Sequence, residues 1–217
     1  MKSMAPQCAK CVVARCKTSN RNKNIKFPDF CVTKNFPDIV QESIEKNKTD
    51  SHAREINLAW IELHNKVMQN RWSWTRVEEI IEFANIREIK KIGIAFCVGL
   101  LTEARLLSDI LEARDFEVVS VSCMAGEVTR EDVKITDQGI FCNPLIQAEI
   151  LNMENTELNI MLGLCLGHDI IFLRHSKADV TPLVVKDRAL GHNPAAALYL
   201  SQSYYDNRFL GQTTKSK

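Results

Sequence analysis

Cysteine is the side chain in this sequence with the most chemistry to offer, because its thiolate is both a soft metal ligand and a nucleophile. The eight cysteines fall into two sets. Cys8, Cys11, Cys16 and Cys31 crowd the N-terminal end, whereas Cys97, Cys123, Cys142 and Cys165 are spread through the second half. In the first set, Cys8-x2-Cys11 can present two thiolates to one ion from a single turn, Cys16 follows after four residues and Cys31 after fourteen more. Four thiolates close a tetrahedron of the structural-zinc type, and such an ion organises a segment with too few apolar residues to fold alone. Iron–sulfur clusters use the same ligands, so spacing leaves zinc and iron–sulfur both open here. Lys10, Arg15, Lys17, Arg21, Lys23 and Lys26 surround the quartet. They are read as a solvated face that offsets thiolate charge rather than as a nucleic-acid finger.

The second set gains meaning only from the elements that would carry it. From Lys90 onward, short apolar runs alternate with amphipathic helices, which is the pattern of βαβ units and a parallel sheet covered on both faces. Strands are expected at 91–97, 117–123, 158–164 and 181–186, with helices beginning near Thr102, Asn143, His168 and Asn193. Cys97 and Cys123 then end two strands, Cys165 lies just past a third and Cys142 immediately precedes a helix. All four positions belong to the carboxyl edge of an open parallel sheet, where ligands bind near the topological switch point. His168 and Asp169 join them there, as do Asp187, Arg188 and His192. The steps Cys142-Asn143-Pro144 and His192-Asn193-Pro194 each place Asn at an N-cap and Pro at the first helical position, so two helix N-termini are expected to aim their N–H groups at one crevice.

Before the sheet, Pro37 opens a short helix to about Lys46, and Asp50 or Ser51 caps a longer one. Ala53, Ile56, Trp60, Leu63 and Val67 give that helix one apolar stripe, and Thr75 with Glu78 forms a capping box for the next. Trp60, Trp72 and Trp74 read as packing anchors. The expected organisation is therefore a cysteine-rich metal-binding segment (1–36), a helical connector (37–89), a doubly wound, Rossmann-like α/β domain (90–210) and a polar tail (211–217).

Several function classes are set aside by what is missing. The turn Cys97-Val98-Gly99-Leu100-Leu101-Thr102 carries no G-x-G-x-x-G, and neither a phosphate-binding lysine loop nor a nucleophile-elbow serine is present. With 28 basic against 27 acidic side chains the net charge is +1, so no chain-wide field favours nucleic acid or an anionic membrane. The apolar runs fall well short of a bilayer span and the start Met1 to Gln7 lacks a signal-peptide core, so a cytoplasmic protein is expected. Cysteines at this density without an export signal are not expected to be disulfides.

The Cys8-x2-Cys11-x4-Cys16 pattern with Pro28-x2-Cys31, the segment IGIAFCVGL (92–100), CNP at 142, LCLGHD (164–169) and KDRALGHNPAAALY (186–199) together resemble a known family. It is a domain-of-unknown-function family of cysteine-rich proteins of bacteria and archaea, many of them anaerobes, described as metal-binding. The resemblance spans roughly residues 8–200 and implies metal binding through the cysteines, without a reaction or substrate. Where the family pattern leads one to expect Cys-Pro, this chain has Cys31-Val32.

The expected role is thus metal binding: zinc, or an iron–sulfur cluster, at Cys8, Cys11, Cys16 and Cys31, and an iron–sulfur cluster or metal ion at Cys97, Cys123, Cys142 and Cys165. His168, Arg188 and His192 are placed around that second group. A redox partner or a small anionic ligand is the further candidate partner. The alternatives are a cysteine-dependent or metal-dependent enzyme acting on a small anionic substrate, with His168 or His192 as base, and a purely structural protein metallated only at its N-terminal site. Replacing Cys11 with Ser is expected to lower bound metal by about one equivalent while leaving the sheet domain folded, as read by metal analysis and circular dichroism.

Overall fold

The computed structural model describes residues 5–17, 26–135 and 138–211. The chain divides into two compact units, Met1–Glu62 and Leu63–Lys217.

The first unit begins with two 3₁₀ turns, Cys8–Lys10 and Arg15–Lys17, followed by α1 (Val32–Asn35) and α2 (Pro37–Thr49). Pro37 sits in the first turn of α2, where its missing N–H costs nothing. The division between the units falls inside α3 (Ser51–Gln69). Asp50 Oδ1 accepts from the Ala53 N–H at 3.0 Å, capping this helix as its sequence suggests. Its buried residues are Ala59, Leu63 and Val67, whereas Trp60 is 54% exposed and Trp72, beyond the helix, is 61% exposed. The stripe therefore runs through Ala59 instead of its neighbour Trp60, because one helical step turns the side chain by about 100°. Those two tryptophans are not core anchors; Trp72 packs edge-on against the His64 ring.

The second unit holds α4 (Arg76–Ile86), β1 (Lys91–Phe96), α5 (Leu101–Glu112), β2 (Glu117–Ser122), α6 (Pro144–Met153), β3 (Leu158–Leu162), α7 (His168–His175), β4 (Asp179–Val184), α8 (Ala195–Tyr199) and α9 (Asp206–Phe209). The capping box at the start of α4 is complete: Thr75 Oγ1 accepts from the Glu78 N–H and the Glu78 carboxylate accepts from the Thr75 N–H. The four strands are all parallel, in the order β2-β1-β3-β4. β1 and β3 lie inside the sheet and are almost wholly buried, which is why they read as unbroken apolar runs.

Two apolar layers cover the sheet. Ile92, Ile94 and Phe96 of β1 join Leu158, Ile160 and Leu162 of β3 and pack with Ile80, Ile81 and Ala84 of α4 and Leu107 and Leu111 of α5. The alternate residues Ala95, Val121 and Met161 pack with Ala148 and Leu151 of α6 and Phe172 of α7. Side chains alternate across a strand, so helices on both faces are what such runs require. This is a doubly wound α/β architecture. β4 begins two residues earlier than the sequence suggests. Pro182 reads as a strand start, but on an edge strand a missing N–H is tolerated, and a register shift past Met161 absorbs the irregularity. Among the described residues no helix is long and apolar enough to cross a membrane.

Gly163 ends β3 with φ +61°, and a Cβ there would lie 2.2 Å from Leu100 Cδ1. This left-handed residue turns the chain from β3 toward Leu164 and Cys165 while α5 approaches closely. Gly163→Ala is expected to cost about 2–4 kcal/mol, from the left-handed backbone plus overpacking, read as a lowered urea midpoint at unchanged slope.

Candidate functional site: a cysteine pocket at the carboxyl edge

The strand order places a topological switch point between β1 and β3, since the connection from β1 leads to β2 on one side and that from β3 to β4 on the other. Cys97 is the first residue past β1; its N–H donates to the Leu162 carbonyl at 3.1 Å and its carbonyl accepts from Leu100. Cys123 is the first residue past β2; its N–H donates to the Phe96 carbonyl at 2.9 Å, and its own carbonyl accepts from the Asn143 N–H at 2.8 Å. That bond clamps Cys142 beside Cys123. Cys165 lies in the β3–α7 turn, where its carbonyl accepts from the His168 and Asp169 N–H groups. Cys97 and Cys123 are buried, and Cys142 and Cys165 half-buried.

The sulfurs and two cations bear directly on one another. The Val98 N–H donates to Cys123 Sγ at 3.4 Å, and Arg188 Nη2 donates to Cys165 Sγ at 3.5 Å. Cys97 interacts electrostatically with Lys186 and Cys123, and Cys123 in turn with Cys142. Burial is the largest influence on Cys97 and opposes its charged form. The Lys186 ammonium, the Gly99 N–H and the Cys123 thiol together outweigh it, and the Cys97 thiol is held below its ordinary value. Cys123 goes the other way: burial, against the Val98 N–H and reinforced by Cys142 and Cys97, pushes its thiol up to about 12. The Arg188 guanidinium is raised by its hydrogen bond to Cys165 and by the charge there, with Cys97 and Cys142 adding at longer range. The pocket therefore has a neutral Cys123 thiol beside a thiolate-prone Cys97, under two cationic side chains.

Supporting contacts come from α6. Asn143 caps it through its side chain, accepting from the Ile146 N–H at 3.2 Å, as the Cys-Asn-Pro step implies. Gln147, wholly buried, donates from Nε2 to the Phe96 and Val121 carbonyls, tying the ends of β1 and β2 together next to Cys97 and Cys123. Its Oε1 is buried without a hydrogen-bond partner among the described residues.

The second expected helix start behaves differently. Asn193 gives no side-chain cap; the short α8 is capped at Pro194 and spans five residues, so no second N–H fan of any length forms there. The reason is local. His192 takes φ +64°, its Nδ1 accepts from the Asp187 N–H at 3.1 Å, and the Asp187 carboxylate accepts from Ala189 and Leu190, folding 187–192 into a self-contained loop. His168 packs edge-on against Phe141. These contacts give both rings structural jobs, and Asp169 similarly caps its own turn by accepting from Gly167 and Ile170.

In the N-terminal segment Cys8 and Cys16 are exposed and Cys11 and Cys31 half-buried. The Cys11 N–H donates to the Cys8 carbonyl, closing the turn that the C-x2-C spacing requires, and Arg15 stacks over the Phe27 ring at 4.2 Å. Among the described residues no three His, Cys, Asp or Glu side chains are placed to hold a metal ion, here or in the pocket. The pocket's donor chemistry suits a thiophilic group; its sulfurs as they stand form hydrogen-bonded thiols and not a preformed coordination shell.

Two participants escaped the sequence reading. Lys186 directly precedes the Asp187-Arg188 pair that drew attention, and only its position one turn past β4 could have marked it. Gln147 carried a weak signal as a polar residue on the face of α6 that also presents Pro144, Ala148 and Leu151.

The alkaline limb of stability follows from Cys123. Its folded value, about 12, lies above the ordinary 9.0, so its contribution is complete below about pH 9 and is lost as pH rises toward 12. Cys123→Ala is expected to flatten the fall in stability between about pH 9 and 11 by up to about 1.4 kcal/mol per pH unit, read from urea midpoints of metal-free, reduced protein.

Comparison with known proteins bears on this pocket. A family described as a protein of unknown function (DUF1847) matches residues 31–183, a span that contains all four pocket cysteines and Cys31. Cys8, Cys11, Cys16, Lys186, Arg188 and His192 lie outside it. An uncharacterised protein of Methanocaldococcus jannaschii, MJ0455, is 44% identical over 179 residues, covering 80% of this chain and 89% of that protein. No solved structure matches the chain. By the extent of both matches, the chain belongs to the DUF1847 family of unknown function.

Proposed function

We propose that the chain is a metal-binding protein whose working site is the carboxyl-edge pocket, with Cys97, Cys123, Cys142 and Cys165 as thiolate ligands of an iron–sulfur cluster or a single thiophilic metal ion. The observation that supports this reading is that Cys97, Cys123 and Cys142, from three chain segments, act on one another at the carboxyl edge, while Arg188, which donates to Cys165, also senses Cys97 and Cys142. Buried cysteines that serve only as small apolar residues have no reason to collect together beside a lysine and an arginine. Four thiolates around a core of about two positive charges leave about two negative charges in excess, which one Lys and one Arg offset. A bound group would supply redox or Lewis-acid chemistry; the thiolates would hold it, and Lys186 and Arg188 would offset its charge. The N-terminal Cys8, Cys11, Cys16 and Cys31 hold a separate structural ion of the zinc type, or an iron–sulfur cluster.

One observation favours a second reading, a cysteine-dependent enzyme acting on a small anionic substrate: Cys97 is drawn toward its thiolate by Lys186. In that reading Cys97 is the nucleophile and Arg188 the anion contact. Metal and acid-labile sulfide analysis of anaerobically purified protein separates the two. The metal reading expects, beside the N-terminal ion, about one further cluster or ion per chain that Cys123→Ser abolishes and Cys11→Ser leaves in place. Protein that takes up neither metal nor sulfide in the pocket after anaerobic reconstitution overturns it.

A further inference from the structure

Cys97 and Cys123 stand in a relation that the other sulfurs do not share. Phe96 pairs with Ser122 in the parallel ladder, so the next residues, Cys97 and Cys123, continue the register on adjacent strands. Both are pinned by strand-type hydrogen bonds, Cys97 to Leu162 and Cys123 to Phe96. Neighbouring strands lie about 4.8 Å apart, inside the Cα separation that a disulfide spans, and at a strand end the small remaining closure needs little backbone movement. The two thiols also influence each other electrostatically. Gln147 fastens both strand ends from below through the Phe96 and Val121 carbonyls.

We infer that Cys97 and Cys123 form a peroxide-sensitive dithiol, and that their disulfide closes the pocket to metal. The inference rests on the metal-site reading only for its consequence, since the disulfide itself needs no metal. The two residues are 6% and 4% exposed, which excludes bulky disulfides as oxidants and leaves a small hydroperoxide as the reagent class. The Cys97 thiolate attacks one peroxide oxygen; an S–O bond forms, the O–O bond breaks, and the departing oxygen leaves as water or alcohol after taking a proton. Cys123 sulfur then displaces hydroxide from the Cys97 sulfenic acid. The S–S bond forms, the S–O bond breaks, and the Cys123 proton leaves with hydroxide as water. Two thiols lose two electrons and one peroxide gains them. Cys123, the register neighbour of Cys97, is placed to resolve the sulfenic acid. Two of the four ligands are thereby consumed, and Cys142 and Cys165 alone cannot complete a four-thiolate site.

The test uses full-length protein, stripped with a chelator, reduced, and titrated with hydrogen peroxide under argon. Peptide mapping by mass spectrometry is expected to find Cys97 linked to Cys123 at about one peroxide per chain, with reversal by dithiothreitol. Cys123→Ser is expected to leave a Cys97 sulfenic acid that a dimedone-type reagent traps; the wild-type map stands by itself if that variant fails to fold. Linkage of Cys123 to Cys142, or direct progress of Cys97 to sulfinic acid in the wild type, overturns the inference. Zinc uptake measured before and after oxidation, in the Cys11→Ser chain to silence the N-terminal segment, is expected to fall by about one equivalent and to return on reduction. Undiminished uptake by the disulfide form overturns the closure. If the reduced pocket takes no zinc, iron or sulfide while the Cys97–Cys123 link still forms, the metal reading fails and the dithiol remains.

Discussion

A parallel ladder sends every strand's carboxyl end to the same edge, and each residue that follows a strand inherits that location. In this chain the ladder does more than stack apolar side chains. The bonds from Cys97 to Leu162 and from Cys123 to Phe96 extend it one residue beyond the strands, so two sulfurs are held by the same hydrogen bonds that hold the sheet. Cys142 follows because Asn143 is tied to the Cys123 carbonyl, and Cys165 because Gly163 turns the chain immediately after β3. With β1 and β3 diverging to opposite neighbours, the crevice between their ends has nothing above it but these loops.

Electrostatics then differentiates sulfurs that are chemically alike. Burial alone would raise every thiol, and at Cys123 it remains the largest influence, opposed by the Val98 N–H and reinforced by Cys142 and Cys97. Cys97 is equally buried but faces Lys186 and the Gly99 N–H, and the balance reverses. One pair of neighbours in one pocket therefore contains both a proton holder and a proton releaser, and the separation comes from placement instead of residue type. The cations follow β4, the strand farthest from Cys123 in the sheet, so this division of labour depends on the full set of strands being assembled.

Much of this was legible in the sequence because burial on both faces leaves a plain mark. KIGIAF and LNIML read as apolar without alternation, and only a strand covered on two sides tolerates that. Cys-Asn-Pro gave its helix start because an Asn cap and a Pro at the first position act locally. The identical-looking His-Asn-Pro did not, since the Asp187 and His192 hydrogen bonds across the loop outweigh a local capping preference. Trp60 was misplaced for a related reason: a large apolar residue invites burial, but α3 turns its smaller neighbour Ala59 inward. Lys186 and Gln147 were illegible because their roles come from tertiary neighbours 89 and 51 residues away in the chain, Cys97 and Phe96. The N-terminal cysteines show the limit of spacing. Their turns form as C-x2-C requires, yet proximity along the chain does not by itself bring four sulfurs around one point.

The proline in β4 has an effect at the opposite extreme of scale from a single sulfur. Strand edges are templates on which other chains can polymerise, and β4 lies at one edge of the sheet. Pro182 removes an N–H from that row, and the register shift that follows breaks its spacing between Pro182 and Val184. A second strand approaching from solvent meets an interrupted ladder. The irregularity thus makes this edge a poor template for a further strand.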